Sequence, residues 1–477
     1  MIAPAILAHE RRALLQDRLP VVLLGLFALI CLFASLRGAE KREAMEEAAT
    51  AFEAEHLQQA SDWRERVVAV ESGAVAPEDD PWAGLAMDVA RPAVAAPGPL
   101  ADFSQGVTAV HPFTSGVSLW RSVDRLFGNY QFQSPNEIRA GSIDLAFAVL
   151  FIMPLVMIAL AFGALSRDKD TGRLGLLLSH PISVRELVRS KLLVRLGAVF
   201  VILVVALFAG LFIGAGGVPG GERLGRFGFW FLAASGYFAF WAGAIYWSVS
   251  LNRKSETTAM MMIGFWVLNS LVGPAVLAAA AQLIHPAPSQ LAFLSTARAV
   301  SNEAYRSRSD VMQGMLLDHP ELTVENYTIP EYIRVSYLVT QTVDRSVEPV
   351  LDDFEAVQRR RQAFLSLMQY AAPAALAMRS INEISGTDLA RQVRFEVEVR
   401  DYKRVIARQV EGKVLSGERL TVAEVDAVPS YSFRESDLGA VGRNVLFPIG
   451  YLFALGMLAA ALARRNLVRL QTRFREA

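Results

Sequence analysis

Along the chain, long apolar blocks alternate with polar stretches. Six blocks are long and apolar enough to cross roughly 30 Å of hydrocarbon as helices: 19–36, 143–165, 193–215, 227–249, 259–284 and 444–463. The fourth contains Ser235, but the Trp and Tyr residues near its ends suit a membrane interface. The first follows Arg11, Arg12 and Arg18, as the core of a signal peptide does. Its apolar run is long, however, and Ile30 precedes Cys31 where a lipoprotein signal has a small residue, so a retained span is expected.

Two long segments lie between the blocks, 37–142 and 285–443. The stretch "EKREAMEEAATAFEAEHLQQASDWRERVVAVE" (40–71) is rich in Ala and Glu and has no Pro or Gly. It predicts a long polar helix rising from the first span. Residues 72–116, rich in Pro, Gly and Ala, read as irregular, and "GVSLWRSVDRLFGNY" (116–130) reads as a short helix. In the second segment helices are expected over 290–317, 330–348, 350–380 and 387–415. Short strands are expected from "YTIPEYI" (327–333) and "KVLSGERLTVAEVDAVPSYSF" (413–433). Arg359, Arg360 and Arg361 read as a solvated helix face, with an anionic docking patch as the alternative. The fold class is therefore mainly α, a six-helix transmembrane domain with two largely helical insertions.

Lys and Arg give the orientation. With both termini in the cytoplasm, the inside segments 1–18, 166–195, 251–256 and 464–477 hold 17 of the 47 basic residues in only 68 positions. That agrees with the positive-inside rule, most clearly at Arg464, Arg465, Arg469, Arg473 and Arg475. The units are then 1–36 (cytoplasmic N-terminus and first span), 37–142 (first periplasmic insertion), 143–284 (spans two to five, with a cytoplasmic loop at 166–192), 285–443 (second periplasmic insertion) and 444–477 (last span and cytoplasmic tail). The composition, 53% hydrophobic with a mean hydropathy of +0.32, suits spans plus sizeable water-facing parts. Formal net charge is zero, so the totals suggest no nucleic acid. The single cysteine, Cys31, excludes an intrachain disulfide framework. Cysteine-free outside segments suit a bacterial periplasm, where packing alone stabilises them.

Candidate chemistry is sparse. No stretch reads G-x-x-x-x-G-K-[ST], so ATP binding by this chain is not expected. The six histidines form no H-E-x-x-H, and His111, His180, His285 and His319 each precede a proline and read as turn residues. There is no G-x-S-x-G, and no nucleophile or acid–base set of the kind an enzyme needs. Ionisable groups are nearly absent from the span interiors, with Asp144 and Arg195 at span ends, which argues against a proton- or ion-coupled carrier. Pro154, Pro274 and Pro448 can kink helices, and Gly210 with Gly214 permits close helix contact. Asn269 and Pro274 are read as packing features or as part of a substrate path, packing being preferred.

The segment "SRDKDTGRLGLLLSHPISVRELVRSKLL" (166–193) breaks the pattern, carrying six bases and three acids between two apolar blocks. Gly172 and Pro181 interrupt it. Ser183 with Glu186 three positions later is an S-x-x-E capping box, which predicts a new helix start. Arg185 and Arg189 share one face of that helix, Leu187 and Lys191 the neighbouring one. Two short amphipathic helices around a Pro hinge are expected. A surface helix answering anionic lipid accounts for the bases. A structured lever docking into a protein partner accounts also for Asp168, Asp170, Glu186 and the Gly and Pro breaks, and is the preferred reading.

"DTGRLGLLLSHPISVRELVRSK" (170–191) resembles the cytoplasmic signature of ABC-2-type transporter permeases, E-x-G-T-L-x-L-L-L-S-x-P-(V/I)-S-R-x-x-L-(V/I)-x-G-K. Gly172, Leu174, Leu176 to Ser179, Pro181, Ser183, Leu187 and Lys191 match. Asp170, Arg173, Val184 and Ser190 replace the usual Glu, Thr, Arg and Gly. The topology resembles the subgroup with large insertions after the first and fifth spans. "PAPSQLAFLSTARAVSNEAY", "DHPEL" (318–322) and "NEISGTDLARQVRFEVEV" (382–399) are similar to its second insertion. The resemblance implies a permease without catalytic, cofactor or metal residues of its own. Its partners would be a separate ATPase subunit that binds ATP and Mg, a second permease subunit, lipid, and a periplasmic or outer-membrane protein. The implied contact with the ATPase runs through Asp170, Gly172, Leu174, Pro181, Ser183, Arg185, Glu186, Arg189 and Lys191, and through an amphipathic helix carrying Arg11 and Arg12. Localisation in a bacterial inner membrane, and export as the direction, belong to the same expectation. The alternatives are a subunit that transmits force to a periplasmic partner, a scaffold or sensor independent of ATP, and a membrane enzyme.

Overall fold

The computed structural model of the chain describes residues 4–109, 111–123, 126–127, 143–170, 172, 183–286, 290–307, 310, 313–314, 317 and 331–476. Helix α1 (Pro4–Gln16) stops because Asp17 turns to extended backbone, and its carboxylate accepts the Leu19 amide at 3.2 Å. This caps α2 (Arg18–Glu71). No proline or glycine interrupts the polar half of α2, so the first apolar block and the polar stretch after it form one helix of 54 residues. At 1.5 Å per residue it is about 81 Å long. Its apolar half exposes Leu19, Val22, Leu29 and Phe33 and buries Phe27, Cys31 and Ala34, as a helix with one face to lipid does.

Among the described residues, five helices are long and apolar enough to cross a membrane. They are α2, α5 (Val184–Ile213), α6 (Gly221–Ser250), α7 (Ser255–Ile284) and the long C-terminal helix α13 (Leu438–Glu476). A shorter apolar helix, α3 (Leu145–Ala161), and the single-turn α4 (Ser166–Asp170) precede α5. At about 26 Å α3 is slightly short for the hydrocarbon layer. It lies nearly wholly buried, packed against α2, α5, α6 and α7, so protein rather than lipid surrounds it. The most extensive helix pairing joins α6 and α13. A Cβ on Gly243 would stand 2.2 Å from the Gly456 carbonyl oxygen, and only glycine permits that approach.

Two of these helices contain a π turn, and each turn comes just before a proline. In α3 the turn Ala148–Ile152 precedes Pro154; in α7 the turn Leu268–Val272 precedes Pro274. A proline lacks the N–H that would bond the carbonyl four residues back, and its ring pushes that carbonyl aside. For Pro154 the displaced carbonyl is that of Leu150, and the buried Tyr237 hydroxyl of α6 donates to it at 3.1 Å. The freed acceptor is thus satisfied from a neighbouring helix, as hydrocarbon requires.

The two long polar segments share one second core, the head. Trp63 and Val67 at the far end of α2 pack there with Met87, Val117, Tyr337 and Phe395. The elements are β1 (Ala90–Val94) and β2 (Thr114–Ser118), paired antiparallel with Ala90 opposite Ser118, and the helices α9 (Glu331–Met368), α11 (Leu389–Ser416) and α12 (Val422–Asp426). Helix α8 (Gln290–Arg306) packs along α9. Arg64 makes a bidentate pair with Asp426 at 2.5 and 2.7 Å, and Arg419 donates to the carbonyls of Pro77, Asp80 and Ala83, so each segment clasps the other.

Several local expectations are corrected. The strands lie in the first segment, at 90–94 and 114–118, where irregular chain and a helix were expected. The described parts of 327–333 and 413–433 hold helix and irregular chain, not strands: Glu331 opens α9, 413–416 closes α11, and Thr421 with Glu424 forms a capping box for α12. At 421–426 the capping box sets a helix start in place of the expected strand. The expected break between 330–348 and 350–380 is absent: α9 runs through Pro349, with Val343 and Val347 buried on the turns before it. The break comes at Ala372, before Pro373 opens α10 (Pro373–Ser385).

Helix α10 lies in the second segment by sequence, yet it packs on α6 and α13 with Leu376, Ala377, Ile381 and Ile384 in the membrane core. The stretch 98–106 joins it at the same seam. Leu100 and Phe103 enter that core, Phe103 meeting Trp230 with ring centroids 5.3 Å apart. Buried Asp102 holds Arg223 of α6 through two contacts of 2.9 and 2.6 Å. Gly38 of α2 and Gly214 make room for Asp102: a Cβ there would stand 1.9 Å from its carbonyl oxygen and 1.8 Å from its carboxylate. Head and bundle therefore meet through a buried, charge-paired seam.

Candidate coupling site

The end of the bundle opposite the head gathers the charged residues singled out in the sequence. Helix α5 starts at Ser183, whose hydroxyl accepts the Glu186 amide at 3.1 Å, while the Glu186 carboxylate accepts the Ser183 amide at 3.3 Å. The capping box read from the sequence is formed. Gly172 follows α4 in a left-handed conformation (φ 71°), where a side chain would be strained, and its amide bonds the Lys169 carbonyl at 3.0 Å. Asp170 is the last residue of α4. Leu174, Pro181 and the expected hinge lie outside the described residues.

The four charged candidates on α5 divide by direction. Lys191 turns inward and is nearly fully buried. Its ammonium meets Asp168 of α4 at 2.5 Å and Glu10 of α1 at 3.5 Å. Arg195, one turn on, meets Glu10 at 3.6 Å and donates to the Leu160 carbonyl at the end of α3. Two acids and two bases thus tie α1, α3, α4 and α5 into one joint. Glu10, the only acid in α1, was not singled out from sequence; its lone position in a basic, apolar helix was the available signal. Arg11 and Arg12 lie on the exposed face of α1. Glu186 is engaged in the cap. Arg185 and Arg189 face sideways into a groove between α5, α6 and α13, whose mouth they share with Arg464.

The remaining candidates serve the interior. Asn269 lies in the π turn of α7, buried, and its side-chain oxygen accepts the Ala374 amide at the start of α10 at 3.3 Å. It stands close to Tyr237 and Ser270. Pro274 is the residue whose missing N–H accounts for that turn. Asn269 thus bonds the start of α10 from α7. Gly210 meets Ser35, Leu145 and Phe103. Arg361 donates to the His285 carbonyl at 2.7 Å, whereas Arg359 and Arg360 are exposed. Among the described residues no group of three or more His, Cys, Asp or Glu is placed to hold a metal ion.

The family model for ABC-2 family transporter proteins matches residues 4–463. The chain belongs to that family. No curated protein matches it. As a member it is a multi-pass membrane component of ABC transporters and not itself catalytic, and membership implies an ABC ATPase partner in general terms. In this ABC-2 permease the match spans the head as well as the bundle, so both belong to the family architecture.

Proposed function

We propose that the chain is the permease subunit of an ATP-driven transporter in a bacterial inner membrane, with both termini cytoplasmic and the head in the periplasm. A separate ATPase subunit binds ATP and Mg and docks on the segment 166–192 and on the exposed face of α1. A second permease subunit, identical or related, completes the complex. The observation that carries this reading is the joint at Lys191. It links the two sides of the charged loop, Asp168 before it and α5 after it, to α1 and to the end of α3. A push on the loop then moves three helices together. ATP binding shifts the permease between two arrangements, and cargo moves because the nucleotide favours one of them. Export of an amphipathic cargo is the direction proposed.

Co-purification tests it. The tagged chain taken from its native membrane in mild detergent should carry an ATP-hydrolysing subunit in stoichiometric amount. Glu186→Lys should release that subunit, whereas Glu186→Gln, which keeps the capping box, should hold its fold and lose less. A chain that elutes alone, with no ATPase activity, would sink the reading. A second reading, in which the complex drives a periplasmic partner without passing cargo, is favoured by α2, which runs unbroken from the bundle into the head.

A further inference from the structure

The groove beside α5 has the make-up of an amphiphile site. It encloses about 610 Å³ between α5, α6 and α13. Three arginines, Arg185, Arg189 and Arg464, stand at one end with Tyr246. The Tyr246 hydroxyl is shut off from solvent and stands against the Arg185 guanidinium. No acidic residue lines the groove, and none of the three guanidiniums makes an ion pair among the described residues. Beyond them the walls are apolar, with Leu196, Phe200, Phe238 and Met457, and glycines 243 and 456 form the back. From Arg189 to Phe200 along α5 the groove runs about 17 Å, close to the roughly 15 Å depth of one leaflet's hydrocarbon.

We propose that this groove holds one anionic phospholipid, its phosphate among the three arginines and Tyr246, and one acyl chain along the apolar walls. Charge complementarity and depth select this occupant. A basic pocket between spans attracts anionic headgroups, and guanidiniums match phosphate geometry. An acidic peptide would satisfy the mouth and leave the 17 Å of apolar wall, a helix-rise estimate, unfilled. A second copy docking through the same face would have to meet the arginines with that face's own residues, and no acidic residue lines the groove. Arg185 and Arg189 also belong to the segment proposed to dock the ATPase, so the proposal is read on lipid retention, and Gly197, which lines the groove outside that segment, separates the two readings.

Native mass spectrometry of the full chain in mild detergent, with phosphatidylglycerol and phosphatidylcholine offered in equal amount, tests the proposal. One retained phosphatidylglycerol per chain is expected. The triple variant R185Q/R189Q/R464Q should weaken its retention on the order of 100-fold, and R464Q alone about fivefold. Gly197→Leu is the second arm. Gly197 lines the groove, and a Cβ there meets nothing within 4 Å, so leucine fills the acyl path while sparing the arginines. It should expel the lipid and keep the melting temperature and elution of the parent chain. Equal retention of phosphatidylcholine, or unaltered binding in either variant, would overturn the proposal. So would displacement of phosphatidylglycerol by millimolar inorganic phosphate, which marks a soluble-anion site. Loss of a second copy or of the ATPase from the triple variant, with lipid retained, would overturn it as well.

Discussion

Direction separates residues that look equivalent in the sequence. Arg185, Glu186, Arg189 and Lys191 lie within two turns of one helix, yet only Lys191 is buried in an ion pair. Removing one member of a buried pair strands its partners, which costs about 3 kcal/mol. Lys191→Met should therefore lower the thermal stability of the purified chain by that order, while Arg189→Gln on the exposed face should change it by less than about 0.5 kcal/mol. Equal effects would show that the Lys191 joint does not form. Gly38 makes a similar argument from volume. Gly38→Ala forces a methyl against the Asp102 carbonyl oxygen and should destabilise by about 1–3 kcal/mol, as overpacking does.

Helices carry the next level. The π turn in α3 and the hydroxyl of Tyr237 form a matched pair, because the proline creates the free carbonyl that the tyrosine satisfies. A double-mutant cycle reads this out. Tyr237→Phe alone should cost about 1–3 kcal/mol, the penalty for an unpaired buried acceptor. In a Pro154→Ala background the helix can supply its own N–H, so the same change should cost markedly less; strict additivity would refute the pairing. The six apolar blocks, the long polar helix of α2 and the start of α5 were legible because each rests on local signals: run length, absence of breakers, and a four-residue cap. Helix α10 was not legible as part of the membrane core. It has only 13 residues, its buried face includes Ser380 and Ser385, and its partners on α6 and α13 are distant in sequence. The groove arginines were visible one at a time, but nothing local announces that Arg464 meets Arg185. The strands at 90–94 and 114–118 contain Pro92 and Gly116, residues that argue against a strand unless the pair is short and at an edge.

At the scale of the molecule, the head depends on carboxylates that carry charge. The Arg66 guanidinium holds Asp80 below the usual carboxylate range, Arg64 does the same for Asp426, and the Thr421 amide does so for Glu424. A carboxylate with a lowered folded-state pKa contributes stability that is present above its unfolded value and lost as pH falls through the folded one. Asp80, Asp426 and Glu424 therefore each contribute stability that is lost as pH falls through their lowered range, whereas burial raises Asp88 and Glu396, whose contributions run the other way. Asp80→Asn should remove its share of that loss in a thermal unfolding series. An unchanged slope would assign the acid sensitivity elsewhere. The unbroken course of α2 has a mechanical consequence of its own. A rod about 81 Å long converts angle into travel: rocking by about 10° around its midpoint sweeps each tip through about 7 Å in opposite directions, by the same helix geometry. A displacement of that size at the loop end is more than one helical turn, and it arrives at the head as an equal and opposite stroke without any residue of α2 changing its conformation.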